Sequence, residues 1–156
     1  MTEDLQPLAL LLAQAERQRY DALAEQLKAE TAKRAATAQA EQLVRYRQEY
    51  EQRWKAEFCR EGKIELVRCY QGFMQRLTQA VEQQERLAVH AATQTERAEA
   101  IVRGHELRAA ALKKLVERRL RENEIATARL EQKEHDDRAV RVAWNRLTAP
   151  GQPTAR

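Results

Sequence analysis

VRCYQGFMQRLTQAVEQQERLAVHAATQTERAEAIV, residues 67 to 102, carries the pattern that decides the fold. Stepping alternately by three and four from Val67 lands on Tyr70, Met74, Leu77, Val81, Gln84, Ala88, Ala91, Thr95, Ala98 and Val102. This is the heptad spacing with which one α-helix packs along another. Continued through His105, Ala109, Leu112, Val116, Arg119, Asn123, Ala126, Leu130, Lys133, Asp137, Val140, Trp144 and Leu147, the template takes in 24 positions. Of these, 17 are apolar, against about ten expected from the 43% hydrophobic composition. A continuous apolar seam is therefore expected on the second half of the chain.

Working back toward the N-terminus, Leu5, Leu8, Leu12 and Ala15 keep the same spacing, and Tyr20, Leu23 and Leu27 are read as continuing it after a small phase slip. From Glu30 to Gln42 the inner face offers only alanines, and Leu43, Tyr46, Tyr50 and Trp54 then restore a large stripe. Prolines occur only at 7, 150 and 153. Of the four glycines only Gly62 sits among plausible loop residues. The expected architecture is all-α: a long two-helix antiparallel coiled-coil hairpin with an overhanging C-terminal helix. It comprises a helix over 4–59, a loop over 60–63, a second helix over 64–147 and a disordered tail over 148–156, all within one rod-like coiled-coil domain. Partner residue numbers should sum to about 125, which leaves the seam beyond Leu120, with Val140, Trp144 and Leu147, in need of a partner.

With 156 residues, a third of them charged and 5% aromatic, the composition favours helical rods over a globular core. No apolar run approaches the roughly 18 to 20 residues that span a bilayer, so no membrane insertion is expected. Two cysteines, Cys59 and Cys69, fit a reducing compartment better than a disulfide scaffold, and a cytoplasmic location is the default expectation. His90, His105 and His135 share no metal-ligand spacing, and phosphate-binding loops, nucleophile elbows and zinc signatures are missing. A two-helix hairpin also builds no concave pocket in which several groups converge on a reacting atom. A binding protein without cofactor or metal is expected, not an enzyme.

Residues 103–146 hold twelve Lys or Arg against eight Asp or Glu, a surplus equal to the net +4 of the chain. Such a stretch suits an acidic protein surface, or is simply a solvated face laced with pairs such as Glu117 with Arg121. Nucleic acid is the poorer match, because acidic residues interrupt the basic run and no aromatics accompany it. Near the loop, Phe73, Leu77, Ala80 and Gln84 recur at helical spacing beside the seam. Periodicity allows a binding patch there, or a widened core facing Leu43, Tyr46, Tyr50 and Trp54.

The run Pro7-Leu8-Ala9-Leu10-Leu11-Leu12-Ala13, then Tyr46-Arg47-Gln48-Glu49-Tyr50, Tyr70-Gln71-Gly72-Phe73 with Leu77 and Ala80-Val81, and Leu130-Glu131-Gln132-Lys133-Glu134 with Asp137 follow one another along the chain. In this order and spacing the sequence resembles the FliJ family of flagellar type III export proteins. The resemblance implies a stalk similar to the gamma subunit of rotary ATPases, placed at the centre of the hexameric flagellar export ATPase. It would link that ring to the large export-gate membrane protein, with export chaperones as further partners, and sit peripherally at the inner-membrane export apparatus. Carried over from the family, the gate-binding residues are Phe73, Leu77 and Ala80, with Gln84 in a fourth position where a histidine can occur. For the ATPase contact, the analogy with an inserted stalk and the charge surplus point to Arg118, Arg119, Arg121 and Arg129. The rival readings are the equivalent stalk of a virulence-type secretion system, a homo-oligomeric structural coiled coil and a basic nucleic-acid-binding rod.

Overall fold

In the computed structural model, which describes residues 5–149 and 151, two α-helices account for almost the whole chain: α1, Leu5–Glu61, and α2, Ile64–Thr148. The connection is Gly62 and Lys63. Gly62 adopts φ of 46°, the left-handed conformation that ends helices and that only glycine enters without a steric penalty. The Lys63 carbonyl then accepts the first hydrogen bond of α2 from the Val67 N–H. Contacts divide the chain into two units, residues 15–109 and residues 1–14 with 110–156.

The first of these units is an antiparallel hairpin. Tyr50 meets Phe73, Trp54 meets Tyr70, the Gln84 amide meets Gln39 and the Thr95 hydroxyl meets the Ala29 carbonyl, pairs whose numbers sum to 123 or 124. The expected sum of about 125 is therefore off by one to two residues. Along α2 every template position from Val67 to Ala109 is buried or half-buried, with Leu77, Val81, Thr95, Val102 and Ala109 the deepest.

On α1 the seam departs from the expectation. Tyr20, Leu23 and Leu27 do not continue it: Tyr20 is 63% and Leu27 65% exposed, while Ala15, Ala22 and Ala40 are buried. The covered positions run Ala15, Arg19, Ala22, Gln26, Ala29, Ala36, Ala40, Leu43, Arg47, Tyr50 and Trp54, an unbroken alternation of three and four that skips only exposed Lys33. There is no phase slip. A slip would rotate α1 relative to its partner, whereas an unbroken heptad keeps one face in contact and uses alanine wherever the helices come close.

Thr95 shows how close that is. Only 2% exposed, its hydroxyl lies 3.1 Å from the Ala29 carbonyl oxygen across the interface and 3.0 Å from the Ala91 carbonyl one turn back. A side chain as short as threonine reaches the opposing backbone only because alanines line this part of α1. Tyr46 is also outside the seam. Its slot belongs to Arg47, which is half-buried, and the centroid of the Tyr46 ring is 6.0 Å from that of Tyr50.

In the other unit Leu5, Leu8 and Leu12 are half-buried, as are Leu112, Val116, Asn123 and Ala126. From Thr127 to Ala149 every residue is exposed. Thr148 still belongs to α2, which closes with the Ala149 N–H on the Asn145 carbonyl at 3.0 Å. The rest of the tail read as disordered lies outside the described residues except Gly151.

Candidate binding surfaces

Around the connection, α1 contributes Tyr46, Tyr50, Trp54 and Phe58 on one face because they recur every four residues, and α2 answers with Tyr70 and Phe73. The rings form a ladder. Tyr50 to Phe73 is 4.4 Å between centroids, Trp54 to Tyr70 is 5.3 Å, and Phe58 meets Tyr70 edge to face at 5.4 Å. Offset or tilted pairs at these separations contribute about 0.5–1.5 kcal/mol each beyond the apolar area they bury.

This ladder places the four residues singled out after the connection. Phe73 is half-buried, with one side of its ring against Tyr50. Leu77 is buried in the seam, so it supports the surface from beneath. Ala80 is exposed, leaving a small-residue gap in the side-chain cover. Gln84 is half-buried and its Nε2 donates to Oε1 of Gln39 on α1 at 3.3 Å. Next to that amide pair, Gln39, Gln42, Leu43, Tyr46 and Glu49 line a shallow groove. Periodicity along α2 alone hides Gln39 and its groove, since they lie on α1; the expected pairing sum of about 125 points two residues away, to Glu41, whereas Gln84 and Gln39 sum to 123. Of the two readings left open by the spacing, the aromatic contacts show the widened core near the connection.

The basic run of α2 from Lys113 to Arg129 lies in the other unit. At about 100° per residue, Lys114, Arg118, Arg121, Ile125 and Arg129 fall within an arc of about 80°. Arg119 lies about 100° from Arg118 and does not share their stripe. Arg118 Nε is 3.0 Å from Glu122 Oε1 and Arg119 Nη1 is 3.5 Å from Glu122 Oε2, so one carboxylate draws on two cations. These side chains are largely exposed, and such pairs are worth little and yield readily to a better partner.

Among the described residues no group of three or more His, Cys, Asp or Glu is arranged to hold a metal ion, and no helix is long and apolar enough to cross a membrane. Cys59 and Cys69 are exposed free thiols.

A sequence profile of the family described as Flagellar FliJ protein matches residues 4–148. No curated protein sequence and no solved structure matches the chain.

Proposed function

This chain belongs to the FliJ family of flagellar proteins, non-enzymatic components associated with type III export, and on that premise we propose that it is an adaptor between the export ATPase and the export gate. The family match over residues 4–148, which takes in both surfaces described above, is the observation that carries this reading. The hexameric export ATPase is the partner of the basic stripe Lys114, Arg118, Arg121 and Arg129, whose cations meet acidic groups on the ring. Arg119 contributes to the same field from beside the stripe.

The large export-gate membrane protein takes the second surface. Phe73 offers the exposed part of its half-buried ring, Ala80 is small and exposed, and the Gln84–Gln39 pair is held by one hydrogen bond that a partner's backbone can replace. Leu77 holds this surface in place from the seam. The protein acts in the cytoplasm, peripheral to the membrane export apparatus, and handling of export chaperones falls to the same adaptor.

The test is ATP hydrolysis by the export ATPase of the same organism with this chain titrated in, ring formation being followed in parallel. Saturable stimulation with more hexamers is expected. Phe73→Ala should lose binding to the gate protein while stimulating the ATPase normally. Absence of binding and stimulation at tens of micromolar would remove the adaptor role.

A further inference from the structure

The end of α2 carries its charge in two opposite blocks. Residues 131–137 hold Glu131, Glu134, Asp136 and Asp137 against Lys133 alone, and residues 138–148 hold Arg138, Arg141 and Arg146 with no acidic residue. The segment is neutral as a whole and charge-polarised along its length. The heptad seam runs through both blocks as Leu130, Lys133, Asp137, Val140, Trp144 and Leu147. All six are exposed, Trp144 by 66% and Leu147 by 82%. At about 100° per residue, Glu134 and Arg141 stand within about 20° of each other on one flank of this seam. Among the described residues the ion pairs lie elsewhere, joining Glu25 with Lys28, Glu51 with Lys55, and Glu122 with Arg118 and Arg119, so neither block is neutralised within its own helix.

We infer that this segment is an antiparallel dimerisation surface whose occupant, in the free protein, is the same segment of a second copy. A two-fold interface needs a self-complementary patch, and a helix with an acidic half and a basic half is one when it meets a reversed copy of itself. Matching the seams sets Leu130 against Leu147, Lys133 against Trp144 and Asp137 against Val140 of the second copy, each pair summing to 277. The two-fold axis keeps equivalent flanks on one side, so Glu134 meets Arg141 of the second copy, twice by symmetry. The other arrangements bring like charges together. A parallel pair in register faces Lys133 with Lys133 and Asp137 with Asp137, and a shift by one heptad in either direction sets Glu134 on Glu134 or Arg141 on Arg141. Lys133 over the Trp144 ring adds a cation–π contact, while Asp137 near the axis fixes the register and weakens the seam, which makes the association reversible. The inference concerns the free chain and does not rest on the adaptor role; a partner ring that takes up this end does so by displacing the copy.

The experiment is sedimentation velocity of the full chain from about 1 to about 300 micromolar, a range that captures short, weak interfaces. Conversion from monomer to dimer is expected across it. W144A/L147A should stay monomeric with unchanged helical circular dichroism, since both side chains are exposed. E134R and R141E each turn two attractive pairs into two like-charge pairs and should each associate about tenfold more weakly, whereas their equimolar mixture should regain the original association as a heterodimer. A chain still monomeric at about 300 micromolar would overturn the inference and leave this face to the ATPase ring or another protein. So would a dimer that survives W144A/L147A, which would place the contact elsewhere, or a mixture that associates no better than the single variants, which would deny the register.

Discussion

Replacing Ala22 by leucine tests the unbroken seam of α1 most directly. Ala22 is buried, with Ala98, Ile101 and His105 of α2 lining the same small depression as Gln18 and Asp21. Leucine adds three carbons to an alanine-lined seam in which, two turns further along, Thr95 touches the backbone of α1 at 3.1 Å. To fit, the helices must separate or the new side chain must leave its rotamer, which in a packed interface costs about 1–3 kcal/mol. Taking about 2 kcal/mol, the thermal midpoint falls by about 4–8 °C for a chain of this size. The matched control is Leu27→Ala, since Leu27 is mostly in solvent; its expected cost is about 0.5 kcal/mol or less. Urea denaturation followed by helical circular dichroism measures both. A larger loss for Leu27→Ala than for Ala22→Leu would refute the register and restore the slipped phase, in which Tyr20, Leu23 and Leu27 face the partner helix.

Other substitutions probe other parts of the structure. Thr95→Val keeps the shape and removes the hydroxyl shared between two carbonyls, and should cost about 1 kcal/mol in the same denaturation assay. Gly62→Ala meets no neighbouring atom within 4 Å, so its expected cost of about 1 kcal/mol comes from the left-handed backbone alone, and Gly62→Asn should recover part of it. Neutralising Arg118, Arg121 and Arg129 together should slow association with the export ATPase about tenfold at low salt, with the difference shrinking as salt rises; equal rates at low salt would separate the stripe from ATPase binding.

The helical class and the antiparallel pairing were legible because they depend on spacing, and heptad spacing survives wherever large apolar residues mark it, as from Val67 to Val102. The seam of α1 was misread where that marker fails. At positions 19 to 29 the covered side chains are Arg19, Ala22, Gln26 and Ala29, while the most hydrophobic residues, Tyr20, Leu23 and Leu27, sit one step away. Hydrophobicity ranks leucine over alanine for burial, but close helix packing ranks by size. Arg19 occupies a seam position, with its guanidinium carbon 5.3 Å from the Tyr20 ring centroid. The surface near the connection was partly legible: Phe73 and Gln84 stand out on α2, but Tyr50 and Gln39 become their neighbours only through the pairing of two segments remote in sequence.

The aromatic ladder beside the two-residue connection also sets an order of events for a chain that has yet to fold. Phe58 and Tyr70 are only twelve residues apart, whereas Thr95 and Ala29 are separated by 66. Closing the short loop costs the least entropy, and it brings together the pairs that release the most energy on contact. Each later pair then closes only a few residues beyond the last, so the 15–109 hairpin is expected to zip outward from its turn with a low effective contact order. On a ribosome the consequence is a delay: α1 is synthesised whole before Tyr70 and Phe73 emerge, and its alanine-lined face stays without a partner until the turn has closed.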